Sequence, residues 1–159
     1  MNFKDLVAPV EGEFDVDEAL AEWRWLVPEV AAPLEVTAFG DLFLIARSGA
    51  VLFLDTIAGT CDEVAESVDQ WNEKLNDPER LDEWFLPALM VVLQEAGVYL
   101  SRGDVYSPTH AIILGGSFTA ENWKPTHWRV HFASTGVLHA QVKNLPPGTK
   151  ITDIKYDPL

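Results

Sequence analysis

Three of the chain's four histidines, His127, His131 and His139, fall within the run HWRVHFASTGVLH. Imidazole is the side chain best suited to holding a metal or moving a proton near neutral pH, so any chemistry should show here first. The residues alternate polar and apolar, and Ser134-Thr135-Gly136 has the composition of a three-residue hairpin loop with Gly136 left-handed. Paired across that loop, Trp128, Val130, Phe132, Leu138, Ala140 and Val142 share one face. His127, Arg129, His131, His139, Gln141 and Lys143 share the other. A helix would also bring His127 and His131 together, but the alternation and Pro125 just upstream favour a strand. On the hairpin, His131 and His139 oppose each other with Cβ atoms about 5 Å apart. His127 lies four residues off, roughly 13 Å along a strand, whereas zinc needs each ligand at about 2 Å. Arg129 and Lys143 further disfavour a cation. The expectation is a solvated or partner-facing hairpin with no metal and no cofactor.

Cys61 is predicted at a helix start, where the dipole lowers a thiol pKa, but Asp62 and Glu63 oppose that effect. It shares a side with Val64, Ala65 and Val68, so a buried core cysteine is expected. The sequence has no G-x-S-x-G elbow, Walker loop, G-x-G-x-x-G or H-E-x-x-H, and Leu114-Gly115-Gly116 reads as a tight turn. No nucleophile–base constellation emerges, and the residues predict a protein that is not an enzyme.

Binding is better represented. Thr60-Cys61-Asp62-Glu63 has capping-box spacing, which predicts a helix from there to about Leu75. On that helix Asp62, Glu66, Asp69 and Glu73 form one strip, opposite Val64, Ala65, Val68, Trp71 and Leu75. Such a strip could dock in a basic protein groove by imitating phosphates, although charged outer faces are also the rule for amphipathic helices.

The elements that would position these groups follow from pattern. Val16, Ala19, Leu20, Trp23, Leu26 and Val27 recur at helical spacing, with Asp15 or Asp17 as cap and Pro28 as stop. Trp25 falls on the opposite face and is a candidate contact residue. Leu42–Ala46 and Ala50–Leu54 read as strands joined by an Arg47-Ser48-Gly49 turn. Pro78 starts another helix, Pro87 breaks or kinks it, and Gly97 ends it. Loops and strands return afterwards, with a last strand over Ile151–Tyr156. The fold class expected is α+β, a mainly antiparallel sheet with helices packed on one face. Residues 1–14 are a lead-in and 15–159 a single domain.

Composition narrows the class. The 159 residues carry 25 acids against 11 bases, a net charge of −14, with 48% apolar residues and six tryptophans. Residues 1–95 hold 21 acids and five bases; residues 96–159 hold four acids and six bases. Such a field repels nucleic acid and anionic lipid and speeds encounter with basic partners. One cysteine and an opening MNFKDLVAPVEGEF without a signal-peptide pattern suggest the cytoplasm.

Several blocks in series resemble one bacterial family. They are WRWLVPE (23–29), VTAFGDLFLI (36–45), GAVLFLDTIAGTCDEVAES (49–67), LGGSFTAENW (114–123) and VHFASTGVLHAQVKNLPPGT (130–149). The family, long catalogued as a domain of unknown function, includes the C-terminal domain of type VI secretion immunity proteins that neutralise DNase effectors. More remotely the chain is similar to the SUKH immunity superfamily. Members often carry an additional N-terminal domain, and here a short lead-in precedes Trp23. The resemblance implies an α+β immunity fold and inhibition of a cognate toxin by direct binding, and it carries over no catalytic residues. A nuclease must hold phosphates, so the expected partner is a basic, nuclease-type toxin. Asp62, Glu66, Asp69, Glu73 and Trp25 are the expected contact residues. The alternatives are a small-ligand or metal-binding domain using the 127–143 hairpin face, or a scaffold with an unrelated partner.

Overall fold

Leu42, Phe43 and Leu44 are all fully buried, which an alternating strand permits only if both its faces are covered. The computed structural model, which describes residues 3–146, Gly148 and Thr149, shows how. A four-stranded antiparallel sheet runs in the order β1 (Val30–Val36), β2 (Leu42–Ala46), β3 (Val51–Asp55), β4 (Thr60–Ala65). β2 and β3 pair Leu42 with Leu54, Phe43 with Phe53 and Leu44 with Leu52, closing on the expected turn at Gly49. Leu42, Leu44 and Leu54 point to one side, into a core with Trp23, Trp128 and Phe132. Phe43, Val51 and Phe53 point to the other, against Trp71, Trp84 and Phe85.

The α+β class and the antiparallel sheet are as expected, but helices cover both faces of the sheet, not one. On the first face lie α1 (Val16–Leu20), continued by a 3-10 turn to Trp23, and α5 (Trp128–Val142). On the second lie α2 (Val68–Lys74) and α3 (Pro78–Phe85). Asp15 caps α1 through Asp17 and Glu18, and Asp77 caps α3 ahead of Pro78. Leu86 then turns left-handed and α4 (Pro87–Glu95) follows, so Pro87 breaks the helix as predicted. A third core joins α4 through Leu89, Met90 and Leu93 to Phe39, Tyr106 and Trp123. The last two belong to a separate hairpin of β5 (Asp104–Pro108) and β6 (Trp123–His127). Before Asp15, Leu6, Ala8 and Val10 are buried, and Val7 bridges to Thr37. The strand expected over Ile151–Tyr156 lies outside the described residues.

Two predicted elements are corrected. Residues 60–65 form a strand, not the first turns of a helix. The Asp55 side chain accepts the N–H groups of Ile57 and Ala58, and Gly59 at φ +76° turns the chain back, so β4 pairs with the free edge of β3. The helix cap lies further on: Ser67 accepts the N–H of Gln70, whose side chain accepts that of Glu66. Residues 128–142 form a helix, not a hairpin. Trp128, His131, Phe132, Gly136, Leu138, His139 and Val142 are its buried positions, at helical spacing. Gly136 is no loop residue. A Cβ there would stand 2.7 Å from the Glu22 carbonyl oxygen, so glycine lets α5 close on the turn after α1.

Candidate functional site

The histidines are brought onto one helix and then separated by it. His127 caps α5, its Nδ1 accepting the Arg129 N–H at 3.2 Å, so its Nε2–H donates to Glu13 at 3.1 Å. The indole of Trp128 donates to the same carboxylate at 3.0 Å. That hydrogen bond, more than His127 or Arg102, holds the Glu13 pKa below its ordinary value against the opposing effect of burial. His131 and His139 face inward, two helical turns apart, with 1% and 4% of their surfaces exposed. The hairpin face offered as a metal or ligand site therefore does not exist. Among the described residues no group of three His, Cys, Asp or Glu side chains could hold a metal ion.

Both rings close on Thr56, in the turn between β3 and β4. His131 Nε2 lies 3.0 Å from the Gly40 carbonyl, which can only accept, so this nitrogen carries the proton. The same N–H reaches Thr56 Oγ1 at 3.1 Å, and Nδ1 is left to accept the Ser107 hydroxyl at 2.8 Å. Asp41 receives the Thr56 N–H at 2.8 Å and its hydroxyl at 3.0 Å. His139 Nε2 donates to the Thr56 carbonyl at 2.9 Å. Burial pushes His131 down to about 4, pushes His139 down, and pushes Asp41 well above the usual carboxylate range. A serine, a histidine and an aspartate are thus linked, yet not as a hydrolytic relay. Asp41 bonds to Thr56, not to the imidazole, and Ser107 is only 7% exposed. The network holds the sheet, β5 and α5 together.

Cys61 sits on β4 rather than at a helix start. Its half-buried thiol packs among the residues of the first core, and burial with Asp62 beside it pushes the pKa up to about 11.

The four-carboxylate strip of one helix is not formed. Asp62 lies on β4, Glu66 in the connection, and only Asp69 and Glu73 on α2. All four are nonetheless exposed, and Asp62 pairs with Phe53, so it shares the sheet face on which α2 and α3 pack. Glu63, Asp77, Glu79, Asp82, Glu83 and Glu95 are exposed along the same segment. From Thr60 to Glu95 there are ten acids and two bases, and both bases are engaged. Lys74 Nζ donates to the Val64 carbonyl at 2.6 Å, and Arg80 pairs with Glu83 at 3.3 Å. Trp25 stands apart. It packs against the first core, stacks on Trp23 at 5.8 Å, and has Lys143 Nζ 4.7 Å from its ring centre.

No helix among the described residues is long and apolar enough to cross a membrane. A search of curated proteins finds no match to the chain. Residues 65–139 match a protein-family model described as T6SS immunity protein Tdi1, C-terminal. The match runs from the end of β4 through most of α5 and takes in α2, α3 and α4. It supports the type VI secretion immunity family that the sequence resembles.

Proposed function

From the match to a type VI secretion immunity domain, we propose that this chain neutralises a cognate toxin by direct binding, without catalysis of its own. The partner we have in mind is a basic, nuclease-type protein met in the cytoplasm; nucleic acid and membrane are not partners. A nuclease must hold phosphates, so its active groove is cationic, and an acidic blocker competes for that groove and associates quickly. The flank built from β4, α2 and α3 fits this role, with Asp62, Glu66, Asp69 and Glu73 as its contact carboxylates. From Thr60 to Phe85 it carries nine exposed acids against two bases, so its field stays strongly negative. Trp25, on the other side of the sheet, is left out of this surface.

The test is affinity capture from the source organism, with one half washed at low salt and the other at high salt. Captured protein is assayed for nuclease activity, and its association rate is measured with Glu66→Lys/Glu73→Lys protein. We expect a basic nuclease, inhibited by the wild-type chain, that the reversed variant binds at least about tenfold more slowly at low salt. Unchanged kinetics would remove the acidic flank from the reading. A captured toxin without nuclease activity would remove the nuclease.

A further inference from the structure

At the α3–α4 junction, Asp82, Leu86, Pro87, Leu89 and Val92 line an open groove of about 480 Å³, with Phe118 also in its wall. Val92 is 45% exposed and Phe118 52% exposed, so an apolar surface stands in water. The aromatic wall is pre-set. Phe118 stacks on Trp123 at 6.0 Å, and the Trp123 indole and the Asn122 amide both donate to the Ser117 carbonyl. Leu86 at φ 51° is the one left-handed residue other than glycine among the described residues, and backbone strain of this kind gathers at ligand clamps. Asp82 is the one charged residue in the lining, and neither it nor Glu79 one turn earlier has an ion-pair partner among the described residues. Arg80, the only base on α3, is taken by Glu83. The groove lies wholly within the matched segment.

An apolar trough beside unneutralised carboxylates selects for an apolar side chain with a cation next to it. We propose that this groove is the anchor site for the toxin, taking one large apolar side chain of the partner while an adjacent lysine or arginine meets Asp82 and Glu79. The identity of the partner rests on the immunity reading; the chemistry of the groove does not. Acidic residues over a wide flank speed encounter, whereas a buried apolar anchor slows dissociation.

The chain is panned against a displayed library of random short peptides, and the winners are measured on Val92→Glu, Phe118→Ala and Asp82→Lys proteins. Winners should share Phe, Leu, Met or Trp beside Lys or Arg. Val92→Glu and Phe118→Ala should each weaken them about tenfold or more, and Asp82→Lys should shift preference to acid-flanked anchors. Val92 and Phe118 are exposed, so the variants should keep the wild-type melting temperature; Ala88→Arg, also exposed in the lining, replaces any that does not. Winners without this pattern, winners indifferent to every variant, or no winners would overturn the proposal. A concentration-dependent dimer abolished by Val92→Glu would give the groove to a second copy and overturn the partner assigned. Binding of the captured nuclease separates the two readings. Undiminished binding by Val92→Glu protein overturns the anchor site alone, while capture of no toxin counts against immunity and leaves the peptide result to decide the groove.

Discussion

Acidification from pH 7 to pH 5 should weaken the fold through one buried ring. His131 is 1% exposed, gives its Nε2 proton to the Gly40 carbonyl and accepts the Ser107 hydroxyl at Nδ1. A second proton would have to displace that hydroxyl and leave a cation in the core. Burial accordingly pushes its pKa from 6.5 to about 4, the Gly40 hydrogen bond offsetting only part of the shift. In the unfolded chain the ring titrates near 6.5. Between those values the unfolded state binds a proton that the native state refuses, so stability rises with pH. The contribution is complete above about pH 6.5 and is lost as the pH falls toward 4; the part lost at pH 5 is about 2 kcal/mol. His139, its pKa also lowered by burial, acts in the same direction. Asp41 acts oppositely, because a carboxyl with a raised native pKa contributes stability at low pH that is lost as pH rises. Comparison with His131→Gln isolates the ring. Urea unfolding followed by tryptophan fluorescence at pH 7, 6 and 5 should show the wild-type advantage over the variant shrinking by about 2 kcal/mol. An advantage that stays constant across that range would mean that His131 takes up its proton as readily in the native protein as in the unfolded chain.

Two further predictions concern single side chains. Gly59→Ala should lower stability by about 1–3 kcal/mol from the left-handed backbone alone, and by more because the new Cβ would lie 2.3 Å from His139 Nδ1. Gly49→Ala, at φ +92° with nothing within 4 Å, bears only the backbone cost, so thermal unfolding should rank Gly59→Ala as the worse; equal losses would dismiss the histidine contact. Cys61, with its thiol pushed to about 11, should be alkylated by iodoacetamide at pH 8 at least about a hundredfold more slowly in the native protein than in urea. Comparable rates would show the thiol to be free in solution.

Local signals were legible. The β2–β3 hairpin around Gly49, the cap at Asp15, the helix start at Pro78 and the break at Pro87 each depend on residues adjacent in sequence. The two misread elements were decided at a distance. Thr60–Ala65 pairs because β3 has a free edge to satisfy, an argument no helical pattern can supply; Ser67 to Gln70 nevertheless has capping-box spacing and marks where helix begins. Between His127 and Phe132 polar and apolar residues alternate, which masks the longer spacing of Trp128, Phe132, Gly136 and His139. The carboxylates of the acidic flank were named correctly as exposed acids but on the wrong scaffold, and Glu79 and Asp82 join them only because α3 packs beside α2. The Asp41–Thr56–His131–Ser107 network was not legible, since its members lie on four separate elements or turns. The groove at Leu86 needs a left-handed leucine, which no residue preference announces.

Each of the three histidines of α5 and its cap is fitted over a glycine: His131 over Gly40, His139 over Gly59 and His127 over Gly103, all three glycines at positive φ. Neither member of such a pair can drift alone. An alanine at Gly40 meets the imidazole, and a smaller residue at 131 leaves both a void and unpaired polar groups under a turn still shaped for glycine. The pairs therefore behave as epistatic units. Descendants of this sequence are free to vary over the exposed carboxylates of the acidic flank, apart from Asp77, which caps α3. Along α5 they must exchange glycine and histidine together, or keep both, so the proposed partner surface can diversify while the scaffold under it stays locked.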